Sequence, residues 1–315
     1  MATRAHDGPS IIPTRRAALL SGLAAAATPL WSPTVFAKAG GDRVLTLGGG
    51  VTEIVYALGC GDRVVGVDLT STYPPAARGK PNVGYYRRLS AEGVLGLSPT
   101  TIVAAEGSGP KETMDVLAAA SVRLVSLREI ERPDDIVARI GAVAAALGEE
   151  ERGRELADAV AADLATLAED IARIENRRRA LILLGPSSGG PLTAAGVRST
   201  GALALELVGC DNAATAMTGW KALVDEAALA IDPDAVIVMA TGAPVSVEAV
   251  SRHPALAQSS AVRDNRIVVA DALGLVGFGP RVAHIARAVA RQVYPEHTFR
   301  ALPERPWTAS QAASR

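Results

Sequence analysis

Tyr85 and Arg87 are the residues of this 315-residue chain best suited to do chemistry. They lie in Asn82-Val83-Gly84-Tyr85-Tyr86-Arg87-Arg88-Leu89-Ser90-Ala91-Glu92-Gly93, in a chain whose aromatic content is only 3%. A phenol ionises near pH ~10, so binding a ferric ion must favour its deprotonated form. On an extended backbone, residues two apart project to the same side. Arg87 can then donate to a Tyr85 phenolate, orient it and offset its charge. Tyr86 is expected to face the other way and pack, and Arg88 reads as surface charge. The plainer alternative for the same residues is a surface turn lidded by a tyrosine.

Tyrosinate is an established axial ligand of heme iron, and a heme also carries two propionates and a wide apolar ring. Gly219-Trp220-Lys221 and Gly277-Phe278-Gly279-Pro280-Arg281 supply matching side chains. Trp220 or Phe278 is placed to meet a ring, and Lys221 or Arg281 to meet carboxylates. Gly48-Gly49-Gly50 lacks the spacing of a dinucleotide fingerprint or a P-loop. It reads as a turn that lets backbone approach a ligand or an opposite lobe. Glu53 reads as a carboxylate at a helix opening. His253, His284 and His297 lack zinc-motif spacing, and no nucleophile elbow is present, so nothing points to an enzyme.

The elements that would position these residues alternate between strand and helix. Val44–Leu47, Val64–Val67, residues 101–105 and 122–125 read as short apolar strands, with helices from Glu53, Lys111 and Asp134. Thr52 is the expected cap of the first. Residues 149–178 read as one long helix of roughly 40 Å, with Leu156, Val160, Leu164, Leu167 and Ile171 on one face. The pattern then repeats: strands at 180–184, 235–239 and 266–269, and helices at 200–208 and 282–293. Such alternation predicts an α/β fold of two Rossmann-like lobes with parallel sheets, joined by a long backbone helix. Ligand recognition is expected in the cleft between them.

Residues 1–39 read as an export signal rather than as fold. Arg15 and Arg16 precede a modestly apolar, alanine-rich run, and Ala37-Lys38-Ala39 offers a small-residue cleavage pattern. The twin arginine suggests Tat export, although Ala18 stands where a bulky apolar residue is usual. The expected divisions are residues 40–148 for the first lobe, 149–178 for the connecting helix, 179–302 for the second lobe and 303–315 for a loose tail. Cleavage takes the formal charge from -1 to about -4, and no basic run is paired with stacking aromatics, so nucleic acid is not an expected partner. Cys60 and Cys210, the only cysteines, end similar phrases and read as small buried hydrophobes in equivalent positions rather than as a disulfide.

Taken together, Leu47 to Ile54, Val65 to Pro74, Val83 to Gly93, Ser108-Gly109-Pro110 and Leu275 to Arg281 make the chain resemble the periplasmic heme-binding proteins of ABC importers. These belong to the helical-backbone, class III substrate-binding proteins. The resemblance covers nearly all of the mature sequence. It implies that Tyr85 is the axial ligand of a ferric heme, Arg87 its support, and Arg281 a partner for a propionate. It further implies a periplasmic, monomeric carrier that delivers heme to an inner-membrane ABC permease, with Glu112 and Glu248 as counterparts of the docking carboxylates. Some members add a second-lobe histidine ligand. The corresponding loop, Pro186 to Pro191, contains none, so five-coordinate iron is expected unless His253 or His284 turns inward. An iron-siderophore or corrinoid cargo is the alternative within the same role, and an extracytoplasmic heme-processing enzyme the alternative outside it.

Overall fold

The computed structural model describes residues 42–185, 192–223, 231–242, 245–254 and 256–308. Strands β1 (Val44–Leu47), β2 (Val64–Val67), β3 (Thr101–Ala104) and β4 (Arg123–Ser126) form a parallel sheet in the order β2-β1-β3-β4. Helices α1 (Gly49–Ala57), α2 (Ala91–Leu95), α3 (Lys111–Ala119) and α4 (Pro133–Leu147) accompany it. A second sheet is built from β5 (Arg179–Leu184), β6 (Thr193–Ala195), β7 (Asp211–Asn212), β8 (Trp220–Ala222), β9 (Ala235–Ala240) and β10 (Ile267–Asp271). Its order is β10-β9-β5-β6-β8, with β7 added beside β5. The β10-β9-β5 part is parallel, whereas β6 and β8 run antiparallel, a departure from the all-parallel expectation. The central strands β1, β3 and β9 are almost wholly buried, which is why their sequences are continuous apolar runs.

Between the sheets lies α5 (Glu150–Ile171), 22 residues and about 33 Å long. It ends seven residues short of the expected Arg178, although no glycine or proline stops it. The cause is tertiary. Arg173 and Ile174 turn tightly onto Asp170 and Ile171, and Ile174 drops into the core. One continuous apolar cluster links β1 and α1, through α4 and α5, to β5, α6 (Thr200–Val208) and the terminal helix Val282–Val293. The lobes therefore share a core.

Both cysteines are free and buried. Their settings match: Gly59 and Gly209 end α1 and α6 at positive φ, and the N–H groups of Cys60 and Cys210 return to Val55 and Leu205. Burial raises both thiols, that of Cys210 to about 12.

The segment Pro303 to Thr308, expected to be loose, is fastened instead. Two aspartates of α5, Asp163 and Asp170, are nearly inaccessible and need cationic partners. Arg300 gives Asp170 its backbone N–H at 2.7 Å and its Nε at 2.8 Å, and Arg305 grips Asp163 at 2.8 and 3.2 Å. Beyond them, the carbonyl of Trp307 accepts from the hydroxyl of Tyr73 at 3.0 Å. The strap thus crosses α5 and reaches the first lobe.

Candidate functional site

The Tyr85 loop is held rigidly at the carboxyl end of the first sheet. Asn82 to Gly84 runs beside the end of β2: Val83 N–H donates to Val67, and Leu69 N–H donates to Gly84. Asn82 Oδ1 accepts from Gly84 N–H, and Gly84 takes a φ of 90°, a conformation glycine adopts without strain. Arg88 N–H then closes a turn on Tyr85 at 2.8 Å, so the segment is not extended here. Gly109 closes the arrangement, donating to Tyr86 and accepting from Leu89.

This turn changes how the pair works. The rings of Tyr85 and Tyr86 meet edge to face, with centroids 5.1 Å apart. Tyr86 packs half-buried against the outer core of the first sheet, while Tyr85 remains 39% exposed. Arg87 Nε donates to Tyr86 Oη at 3.0 Å, and its guanidinium lies 4.9 Å from that ring. Arg87 also interacts with the phenol of Tyr85, the partner expected for it, although the backbone turns here instead of running extended. Burial alone would push Arg87 down, but the phenols of Tyr86 and Tyr85 more than offset it and hold the cation above its ordinary value. Burial raises the Tyr86 phenol, against the pull of Arg87. Tyr86 is therefore held as a neutral hydroxyl, and Tyr85 is the more exposed of the two phenols. Gly107 makes room, because a Cβ there would stand 2.1 Å from Arg87 Nη1.

The second-lobe candidates divide. Trp220 lies half-buried on β8, its Nε1 donating to Thr200 Oγ1 at 3.1 Å, and Lys221 beside it is exposed. Phe278 is 2% exposed and belongs to the shared core, so the expectation that it meets a ligand ring is corrected. Arg281 is corrected as well. It is 7% exposed, donates to Glu53 at 2.5 and 3.2 Å and to Asp271 at 3.0 Å, and stacks 3.7 Å from the centroid of Tyr73. Three partners occupy the charge assigned to a propionate. His284 bonds the Pro303 carbonyl, facing the strap rather than Tyr85. The histidine-free loop Pro186 to Pro191 lies outside the described residues.

What Phe278 and Arg281 build is the seam between the lobes. Gly48-Gly49-Gly50 opens α1 and approaches the opposite lobe: a Cβ on Gly50 would stand 1.9 Å from the Gly277 carbonyl, and one on Gly49 2.5 Å from Leu273 Cδ1. Thr52 does not cap α1. Its hydroxyl lies inside the helix and links Thr46 and Ser71, both at 2.7 Å. Asp68, fully buried, anchors the network by accepting from Gly48 N–H, Ser71 Oγ and both donors of Thr70. Tyr73 escaped the sequence reading because its partners Trp307 and Arg281 are remote in the chain. In an ordinary helix, Gly→Ala gains up to about 1 kcal/mol. Here Gly50→Ala is expected to cost about 2–3 kcal/mol, since backbone meets backbone. A melting curve checks it, and stabilisation would contradict this packing.

The ends of β1 and β10 thus meet at the seam, and the Tyr85 loop flanks it from the end of β2. Open α/β sheets receive ligands at such carboxyl ends. No helix among the described residues is long and apolar enough to cross a membrane. This is an architecture of two α/β lobes joined through a long helix and a shared core. The chain belongs to the periplasmic binding protein family, whose model matches residues 44–273. It is similar to the apo form of the periplasmic heme-binding protein RhuT from Roseiflexus sp. RS-1, with 35% identity, a TM-score of 0.76, and coverage of 81% of this chain and 99% of that one. It is 26% identical to the uncharacterised ABC transporter substrate-binding lipoprotein YvrC of Bacillus subtilis (strain 168), over 82% of this chain and 81% of the relative. A shorter likeness, 35% over 98 residues, reaches the vitamin B12-binding protein of Yersinia pestis (strain Pestoides F), covering 31% of this chain and 35% of that protein. The fold is that of the class III members: two α/β lobes with a helical backbone between them. The chain is the substrate-binding component of an ABC transporter.

Proposed function

We propose that the protein captures ferric heme outside the cytoplasmic membrane and delivers it to an inner-membrane ABC permease. The observation that carries this reading is the exposed Tyr85 phenol, fixed on a locked turn at the lobe seam beside the Arg87 cation. A phenol so placed can surrender its proton to become the fifth ligand of iron, and a nearby guanidinium favours the anion. The likeness to RhuT, a heme-binding protein, supports the same cargo. Lys221 is the exposed second-lobe cation for a propionate, with the half-buried Trp220 ring next to it. Glu112 on α3 and Glu248 on the helix Val247–Ser251 are exposed and suited to meet permease arginines, although Glu248 is paired with Arg252 in the free protein. The carrier acts as a monomer, exported by the Tat route.

A corrinoid is the second reading, supported by the partial likeness to the vitamin B12-binding protein. Parallel titrations separate the cargoes. Heme should bind with a tyrosinate absorption band, and cobalamin or a ferric siderophore should bind far more weakly. Tighter binding of either competitor would overturn heme as the cargo.

A further inference from the structure

Leu69 is more exposed, at 62%, than any other large hydrophobic residue among those described. A single exposed leucine is ordinary. This one differs in how it is held. Its N–H donates to Gly84 at 2.9 Å, and Asp68 just before it is fully buried and grips Thr70 and Ser71 just after it. The backbone is therefore pinned on both sides while the side chain stands in water. Its hydrogen-bond partner Gly84 directly precedes Tyr85, and a Cβ built on Gly84 meets nothing within 4 Å. The position is the carboxyl end of β2, on the side of the sheet where such folds receive ligands.

We infer that Leu69 is a specificity residue of the cargo site, covering part of the apolar face of a macrocycle whose iron Tyr85 holds. This rests on the reading of the protein as a heme carrier. The two residues divide the work. A phenolate–iron bond recognises the metal and would serve a small ferric chelate as well as a porphyrin. An aliphatic side chain gains only from apolar area removed from water, which a broad flat ring offers and a polar chelate does not. Leu69 thereby favours a porphyrin over a hydroxamate-type complex carrying the same ferric ion.

The test pairs three variants with two ligands. Leu69→Asn is neutral, so propionates are not repelled. It should weaken heme and metal-free protoporphyrin IX alike, each by about tenfold, equivalent to ~1.4 kcal/mol. Tyr85→Phe should weaken heme alone, because metal-free porphyrin has no iron to coordinate. Leu69→Met should restore wild-type affinity for both, and the melting temperature of Leu69→Asn should be unchanged because the side chain is exposed. A wild-type protein that shows the tyrosinate band, together with a Leu69→Asn variant that binds both porphyrins as tightly, would overturn the role of Leu69 alone. A wild-type protein that binds no heme would overturn the carrier reading, and this inference with it.

Discussion

Replacing Tyr85 by phenylalanine is expected to lower heme affinity on the order of a hundredfold or more and to abolish the tyrosinate absorption band. Altering even the outer partners of a metal ligand typically costs ~10–100-fold, and this change removes the ligand itself. The substitution leaves the ring, and the ring is what touches Tyr86 at 5.1 Å. Tyr85 is also too exposed to contribute much to the core. A loss of binding without a loss of melting temperature therefore reports on the oxygen atom and not on folding. Tyr86→Phe is the matched control. It removes the hydroxyl that accepts from Arg87 at 3.0 Å and leaves Tyr85 intact. Its band should persist, shifted because Arg87 then has only the Tyr85 oxygen of the two phenols to interact with. The reverse outcome, with the band lost in Tyr86→Phe and kept in Tyr85→Phe, would transfer the ligand role to the neighbouring residue.

How much of this was legible in the sequence depended on how far apart the partners lie. Thr200–Val208 and Val282–Val293 are helices over the very residues that their periodicity and flanking signals predicted. The strand positions were also legible, because fully buried strands must be continuous apolar runs. Local signals failed where a remote group decides. α1 begins at Gly49 rather than after Thr52, because Thr52 serves a buried hydroxyl network reaching Ser71. The strap looked loose because its anchors, Asp163 and Asp170, sit more than a hundred residues away. A signal for them existed: the two aspartates lie seven apart on the same stripe as Leu164, Leu167 and Ile171, where an unpaired carboxylate would be costly. Tyr85 was singled out from residue type and setting, and the structure leaves it exposed. Arg281 was not, since Glu53 is 228 positions away in the chain. A motif identifies a residue worth keeping; it does not say whether a ligand or the opposite lobe uses it.

The Glu53–Arg281 pair is where that distinction has the largest effect on stability. Glu53 on α1 is 3% exposed and Arg281 7%, and their two contacts join the first lobe to the second. Removing one partner of a buried pair strands the other, at a cost of about 3–5 kcal/mol. Glu53→Ala is therefore expected to lose about 3 kcal/mol, the lower end, because Asp271 still holds Arg281 at 3.0 Å. For a chain of this size that is a fall in melting temperature of about 6–12 °C. Glu53→Gln should cost less, since its amide oxygen still accepts from the guanidinium. The setting of the Glu53 carboxyl also gives the pH dependence a definite sign. Burial pushes the Glu53 carboxyl above its ordinary value of 4.5, and Arg281 pulls it back without cancelling the rise. A group raised in this way contributes its full stability below pH 4.5 and loses it as pH climbs through the folded-state value. The stability of the wild type minus that of Glu53→Gln should accordingly decline from pH 4.5 toward neutrality, while carboxylates common to both proteins cancel. A difference that instead grows with pH would mean that Arg281 outweighs burial and holds the carboxyl low. An unchanged melting temperature in Glu53→Ala would mean that the seam is secured elsewhere, by the close packing of Gly50 on Gly277 and by the strap from Arg305 through Trp307 to Tyr73.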